Sequence, residues 1–218
     1  MDKPKICAVV VSDDPEAVRR AEVLADMLEL RLDLVGNGWQ ELARHLHKPW
    51  IATLRDSAHR GKFTGSEQER VDQLTQAVTL GAHIIDVEID CPALGDLVKS
   101  IKGMARCMVS YHNWDGTPPL EQLSGTVQRQ LAAGAEICKV VTMANSAYDN
   151  LAVLKLPGLF PWLDLISFAM GPAGALSRVL SPLSGGYLTY ASIDEDSGSA
   201  PGQMSIEAMR KIYRMISL

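Results

Sequence analysis

The four cysteines, Cys7, Cys91, Cys107 and Cys138, form no C-x-x-C pair and stand in no paired Cys/His spacing. A structural zinc site needs such spacings, so none is expected. Three of the four lie in apolar runs, where a thiol behaves as a small hydrophobe in a reducing compartment. The chain also lacks an apolar run of about 18 residues or more, the minimum for a membrane-spanning helix. Its start, Met1-Asp2-Lys3-Pro4, leads into a strand with no signal-peptide pattern. A cytoplasmic protein that does not enter membranes is expected. There is no basic stripe either. The 21 Lys and Arg are scattered against 26 Asp and Glu, a net charge of −5, which argues against nucleic acid as a partner. No G-x-G-x-x-G follows the first strand, and no G-x-x-x-x-G-K-[ST] occurs, so the open-sheet nucleotide folds have no signature here.

What the chain does have is a strict alternation of two patterns. Hydrophobic residues make up 47% of its 218 residues, enough for a full core. Strand candidates are Lys5–Val11, Met27–Leu34, Trp50–Arg55, His83–Ile89, Ala105–His112, Ile137–Ala144, Asp164–Met170 and Gly186–Ile193. Helix candidates fill the gaps. Asp14 then Pro15 makes a helix start, and Ser66 with Glu69 three residues on makes a capping box. The helix from Ser146 is expected to end before Pro157-Gly158. Strand–helix alternation argues for a parallel sheet covered by helices. Eight such units in 218 residues argue for an α/β chain folded as one closed (β/α)8 TIM barrel, a single domain over residues 1–218.

The period of two along each strand then says which side chains face inward. In the second strand Leu28, Leu30, Leu32 and Leu34 share one face, while Glu29, Arg31 and Asp33 share the other. If the leucines meet the helices, the charges point into the barrel. By the same alternation Thr53 and Arg55, Asp86 and Glu88, and Ser110 and His112 point inward. So does Lys139, alone among apolar neighbours in Ile137-Cys138-Lys139-Val140-Val141. Barrel interiors are ordinarily filled by branched apolar side chains. Buried charges cost free energy unless paired, and a purely structural buried network is often no better than an apolar core. Polar residues converging from five strands therefore mark a site, open at the C-terminal ends of the strands. A lysine in a water-poor site can act as a nucleophile toward a carbonyl carbon; the plain alternative is a lysine paired with a core carboxylate. His45, His47 and His83 are assigned no role.

At this point the sequence resembles the type I 3-dehydroquinate dehydratases, the Schiff-base enzymes of the shikimate pathway. The resemblance runs the length of the chain. It is carried by Glu29-Leu30-Arg31-Leu32-Asp33, Thr53-Leu54-Arg55, Asp86-Val87-Glu88, Ser110-Tyr111-His112-Asn113-Trp114, Lys139-Val140-Val141-Thr142-Met143-Ala144, the run from Met170 to Arg178, and Ser199-Ala200-Pro201-Gly202-Gln203. Together, in order, these pieces are specific. The resemblance implies that Lys139 forms an imine with the substrate ketone, that His112 is the general acid/base, and that Arg178 binds the substrate carboxylate. It implies that Glu29, Arg31, Arg55, Met170, Ser199 and Gln203 line the pocket. It further implies dehydration of 3-dehydroquinate, no cofactor, no metal and a homodimer. One departure stands out. Where the family carries a glutamate that orients the histidine, followed by two glycines, this chain has His59-Arg60-Gly61. His59, or an ordered water, is expected to take that glutamate's place.

The chemistry follows from the residue types. An imine is an electron sink that makes the adjacent C–H bond acidic. An imidazole can take that proton and help the β-hydroxyl leave as water. Attack requires a neutral amine; apolar flanks, Arg55 and Arg178 disfavour the ammonium, Glu88 favours it, and the former are expected to dominate. The polar run Ser192–Gln203 after the eighth strand reads as a lid. Two other readings stand beside this one. A class I aldolase would share the lysine, but no glycine-rich phosphate site follows the seventh or eighth strand. A binding protein that kept the pocket would explain the missing glutamate.

Overall fold

The computed structural model of the chain describes residues 3–195 and 198–216. Eight parallel strands run in sequence order around one sheet: β1 Ile6–Val10, β2 Met27–Arg31, β3 Trp50–Thr53, β4 Ile84–Glu88, β5 Arg106–Asn113, β6 Ile137–Met143, β7 Asp164–Met170 and β8 Thr189–Ser192. β8 pairs with β1, so the sheet curls back on itself. The barrel is nearly closed: at the β7–β8 seam Tyr187 N donates to Leu165 O at 2.9 Å just before β8 begins. The helices α1 Pro15–Leu24, α2 Leu32–Val35, α3 Trp39–Arg44, α4 Glu67–Thr79, α5 Leu94–Ile101, α6 Leu120–Ala132, α7 Asp149–Leu159, α8 Ala175–Leu180 and α9 Ile206–Met215 lie between and after the strands. None of the described helices is long and apolar enough to cross a membrane.

Local chemistry sets these boundaries. Asp14 caps α1 by accepting from Glu16 N, and Ser66 and Glu69 close a reciprocal capping box on α4. Two expectations need correction. β2 stops at Arg31 instead of running to Leu34, because residues 32–35 turn into α2. That turn folds the Asp33 carboxylate back onto the Arg31 guanidinium, with two bonds of 2.9 and 2.7 Å, and onto the backbone N–H of Lys62 at 3.0 Å. Asp33 is thus a brace at the strand end and not a strand residue. Second, α7 runs through Pro157 to Leu159. Proline removes the N–H that would have reached the carbonyl of Val153. Ser167 on β7 supplies the missing donor, its hydroxyl meeting Val153 O at 2.8 Å.

Burial divides by strand parity as the alternation requires. Ala8, Leu28, Leu30, Ala52, Ile85, Val87, Cys107 and Val109 pack outward against the helices, and Cys138, Val140 and Leu165 do the same under α6 and α7. Inside the barrel, Cys7, Ile51, Ile84, Met108, Ile137, Ile166 and Leu188 fill the end nearer the strand N-termini. All four cysteines are buried free thiols. The Ser167–Val153 bond gives a test: Ser167→Ala leaves a buried carbonyl unpaired, and urea titration should find the chain destabilised by about 1–3 kcal/mol. A change within error would mean that the helix carries Pro157 without help.

Candidate active site

Inner-face residues toward the strand C-termini are polar, and they bond to one another across strands. Lys139, on β6 and 5% exposed, places Nζ 2.8 Å from Asp86 Oδ2 on β4 and 3.3 Å from Glu29 Oε1 on β2. Glu29 also accepts from the Thr53 hydroxyl at 3.0 Å. Beneath the amine lies the Tyr190 ring of β8, 4.3 Å from Nζ to the ring centre. Arg55, just past β3, reaches Asp86 at 3.3 Å and Glu88 at 3.0 Å. Arg70 comes in from α4, pairs with the other oxygen of Glu88, and donates Nε–H to Leu54 O at 3.0 Å. Three carboxylates thus face three cations in one water-poor cluster. The strand that carries the lysine has its own brace. Gln130 of α6, fully buried, donates to both Val109 O and Lys139 O at 2.9 Å, tying β5 to β6.

The charges move in the directions that this arrangement requires. Burial alone would push the Asp86 carboxyl up, but the Lys139 and Arg55 cations more than offset it and hold Asp86 far below the usual carboxylate range. Burial would likewise lower Arg55, and Asp86, then Glu88, raise it instead. The groups bonded to the Lys139 amine are the carboxylates Asp86 and Glu29, while Glu88 bonds to Arg55 and Arg70.

His112, near the end of β5, is different. Its Nδ1 lies 3.2 Å from Arg55 Nη1. Arginine offers only donors, so Nδ1 accepts and the neutral ring carries its proton on Nε2. Burial pushes the imidazole well below its ordinary value, and the Arg55 and Lys139 cations push it further, against Asp86. Trp114 stacks beside it with ring centres 6.0 Å apart. His59, expected to take the place of the glutamate that orients His112, lines the same pocket, but its Nε2 pairs with Asp90 at 3.3 Å and Arg55 is the group that meets His112 Nδ1.

Arg178 of α8 is the exception to the charge balance. It is 1% exposed, lies 4.6 Å over the Phe168 ring, and donates only to Pro201 O at 3.2 Å. Its Nε has no partner, and no carboxylate among the described residues pairs with it. Burial without an anion lowers its guanidinium to about 10, so it stays charged at neutral pH. The loop after β8 packs onto this corner. Residues 196 and 197 of the expected lid lie outside the described residues. The rest docks: Gly171 N donates to Pro201 O at 3.1 Å, and Ser199 N and Oγ both reach Gln203 Oε1, at 2.8 and 3.1 Å. Gly202 has φ +73°, and a Cβ there would sit 2.5 Å from Gly171 O, so only glycine permits this contact.

Glu29, Arg31, Arg55, His112, Lys139, Met170, Arg178, Ser199 and Gln203 all line one pocket at this end of the barrel. Sequence reasoning missed Tyr190, Thr53 as a partner of Glu29, Arg70 and Gln130. The alternation along β8 pointed to Tyr190; Arg70 and Gln130 sit on helices and left no such signal.

A nearly closed (β/α)8 barrel with a lysine held among carboxylates at its C-terminal mouth is the architecture of a barrel enzyme. The family described as Type I 3-dehydroquinase matches residues 6–218. A curated 3-dehydroquinate dehydratase of Dehalococcoides mccartyi (strain ATCC BAA-2266 / KCTC 15142 / 195) is 41% identical over 218 residues, covering 100% of this chain and 98% of that protein. The 3-dehydroquinate dehydratase of Methanocaldococcus jannaschii is 34% identical over 221 residues, covering 98% and 99%. The crystal structure of 3-dehydroquinate dehydratase from Geobacillus kaustophilus HTA426 superposes with a TM-score of 0.85 at 28% identity, covering 99% of this chain and 93% of that one. The chain belongs to the type I 3-dehydroquinase family, and 3-dehydroquinate dehydratase is the activity of that family.

The His112 environment yields a prediction. An imidazole titrating well below its ordinary value is neutral at pH 6.5, near the reference for a free side chain. Proton NMR of the folded protein should give its midpoint below 6.5; a midpoint at or above that would contradict the site electrostatics. The unfolded chain takes up this proton on acidification before the folded one does, so stability falls as pH drops below 6.5.

Proposed function

We propose that this chain converts 3-dehydroquinate to 3-dehydroshikimate through an imine on Lys139, with His112 as acid and base. The observation that carries the reading is the pairing of a buried lysine with an unneutralised buried arginine across one pocket. A ketone and a carboxylate on one small ring would meet both. As the Lys139 nitrogen attacks the ketone carbon, two protons of its ammonium pass to the ketone oxygen, which leaves as water, and an iminium remains. Asp86 and Glu29, which hold the ammonium beforehand, hold the iminium N–H afterwards, so the positive charge stays compensated throughout. His112 takes the proton α to the iminium, forming an enamine, then gives a proton to the departing β-hydroxyl. Water hydrolyses the resulting imine and frees the lysine. The net change is loss of one water.

Substrate oxygens compete for the Arg55 guanidinium. Drawing it from His112 Nδ1 frees that lone pair to act as the base. Arg178 meets the carboxylate with its planar fork, in a site already desolvated. Arg31, Met170, Ser199 and Gln203 complete the ring of contacts, and the 198–203 segment closes the mouth against water. The free, buried thiols support a cytoplasmic setting, and pairing as a homodimer belongs to the same reading.

Incubation with 3-dehydroquinate and borohydride should add one reduced adduct, found on the Lys139 peptide by mass spectrometry. Lys139→Ala should form none and lose essentially all turnover. Absence of an adduct in the wild type, together with no enone absorbance, would sink the proposal. The arginine is tested separately. Arg178→Ala should raise KM about a hundredfold, roughly the 3 kcal/mol expected from removing a buried charge-assisted pair, with a smaller change in kcat. An unchanged KM would remove Arg178 from carboxylate binding.

A further inference from the structure

Among the described residues, Arg60 is the sole non-glycine with a left-handed backbone, at φ 62°. It directly follows the Ser57–His59 turn, and its N–H donates to Ser57 O at 3.1 Å. The next residue fixes where this strain falls. Gly61 presses against the Arg55 backbone so closely that a Cβ would sit 1.9 Å from Arg55 O. The left-handed geometry swings the Arg60 side chain over the pocket mouth, where its guanidinium carbon lies 4.4 Å from the centre of the Trp114 ring. Arg60 makes no ion pair among the described residues, so the indole face is what it meets. Trp114 in turn lies nearly parallel to His112, at 17° between planes. Trp114 is thus the ring neighbour of both the guanidinium and the imidazole, and all three residues line the pocket.

We propose that Arg60 is a positioning residue for the dehydration, clamping Trp114 against His112 so that the imidazole keeps one orientation and is shielded from water. The inference rests on the role given to His112 above. It explains why a strained backbone carries a long cationic side chain where glycine would fit more easily. Arg55 holds His112 in the ring plane through Nδ1, and Trp114 restricts tilting out of that plane. A cation over an indole adds electrostatic attraction to the contact without needing an ion-pair partner. The shielding matters because burial is the largest cause of the imidazole's lowered proton affinity. The other charged and titratable groups acting on His112 are Arg55, Asp86, Lys139 and His59, and a change at Arg60 leaves them in place.

The test sets stability and activity in opposite directions. Arg60→Gly relieves the left-handed strain, so its urea midpoint should equal or exceed that of the wild type. Its kcat should nevertheless fall about tenfold, the scale expected from loosened positioning, and the NMR midpoint of His112 should move up toward 6.5. Arg60→Lys, which keeps a cation over the ring, should stay within about twofold of wild type. In a Trp114→Leu background Arg60→Gly should cost nothing more. A kcat for Arg60→Gly within twofold of wild type, with an unmoved His112 midpoint, overturns the proposal. So does a loss confined to KM that salt abolishes, since that describes a charge steering an anion. The NMR readout needs no turnover, so failure of the dehydratase reading would be distinguishable from failure of this one.

Discussion

Everything at the mouth of this barrel depends on one cluster of alternating charges: Glu29, Lys139, Asp86, Arg55, Glu88 and Arg70. Each charge would be costly alone in a low-dielectric interior. Each is offset by a neighbour of opposite sign drawn from a different strand or from α4, and Lys139, Asp86, Arg55 and Glu88 each have two such neighbours. Such a cluster adds little stability over apolar packing, but it fixes positions. Asp86 bonds both Lys139 and Arg55 and therefore sets the distance between the amine and the guanidinium that holds His112. The orientations of His112 and of Lys139 are thus fixed together.

The cluster is balanced, and that gives Arg178 its meaning. It is a buried arginine lying over an aromatic ring, with one guanidinium nitrogen lacking a partner and no carboxylate beside it among the described residues. The glycine-dependent contact between Gly202 and Gly171 brings the loop after β8 against the same corner, where Pro201 O accepts from Arg178. One end of the pocket thus carries a cation without a counter-charge and the other a lysine paired with two carboxylates.

Much of this was legible in the sequence, for a simple reason. A strand exposes its register through a period of two, so the inward pointing of Glu29, Arg55, Asp86, His112 and Lys139 could be read from alternation alone. Strand–helix order gave the barrel in the same way. What alternation cannot give is contact across distance. Arg70 and Gln130 lie on helices otherwise patterned as outer faces, and their reach to Glu88 and to the carbonyls of β5 and β6 depends on where each helix docks. The partners of Lys139 could not be read for the same reason: sequence says which residues face inward but not which of them touch. At α7 a local rule failed because Ser167, on another element, meets the carbonyl that Pro157 leaves free.

The barrel also separates two demands that conflict. Apolar packing favours a unique, stable interior, whereas catalysis needs charge, water exclusion and some strain. Here the division runs along the strands. The same eight strands bury Ile51, Ile84, Met108, Ile137 and Ile166 toward one end and the charged cluster toward the other. The outer layer of aliphatic side chains against the helices is continuous past both. Stability therefore comes mainly from surfaces that the substrate never meets, which frees the mouth to carry features that lower it: paired charges out of water, an arginine awaiting an anion, a left-handed Arg60. A substitution in the apolar end should act on folding with little effect on chemistry, and one at the mouth the reverse. That separation is what permits a 218-residue chain to hold a buried cluster of acidic and basic side chains at the mouth of its barrel and remain folded.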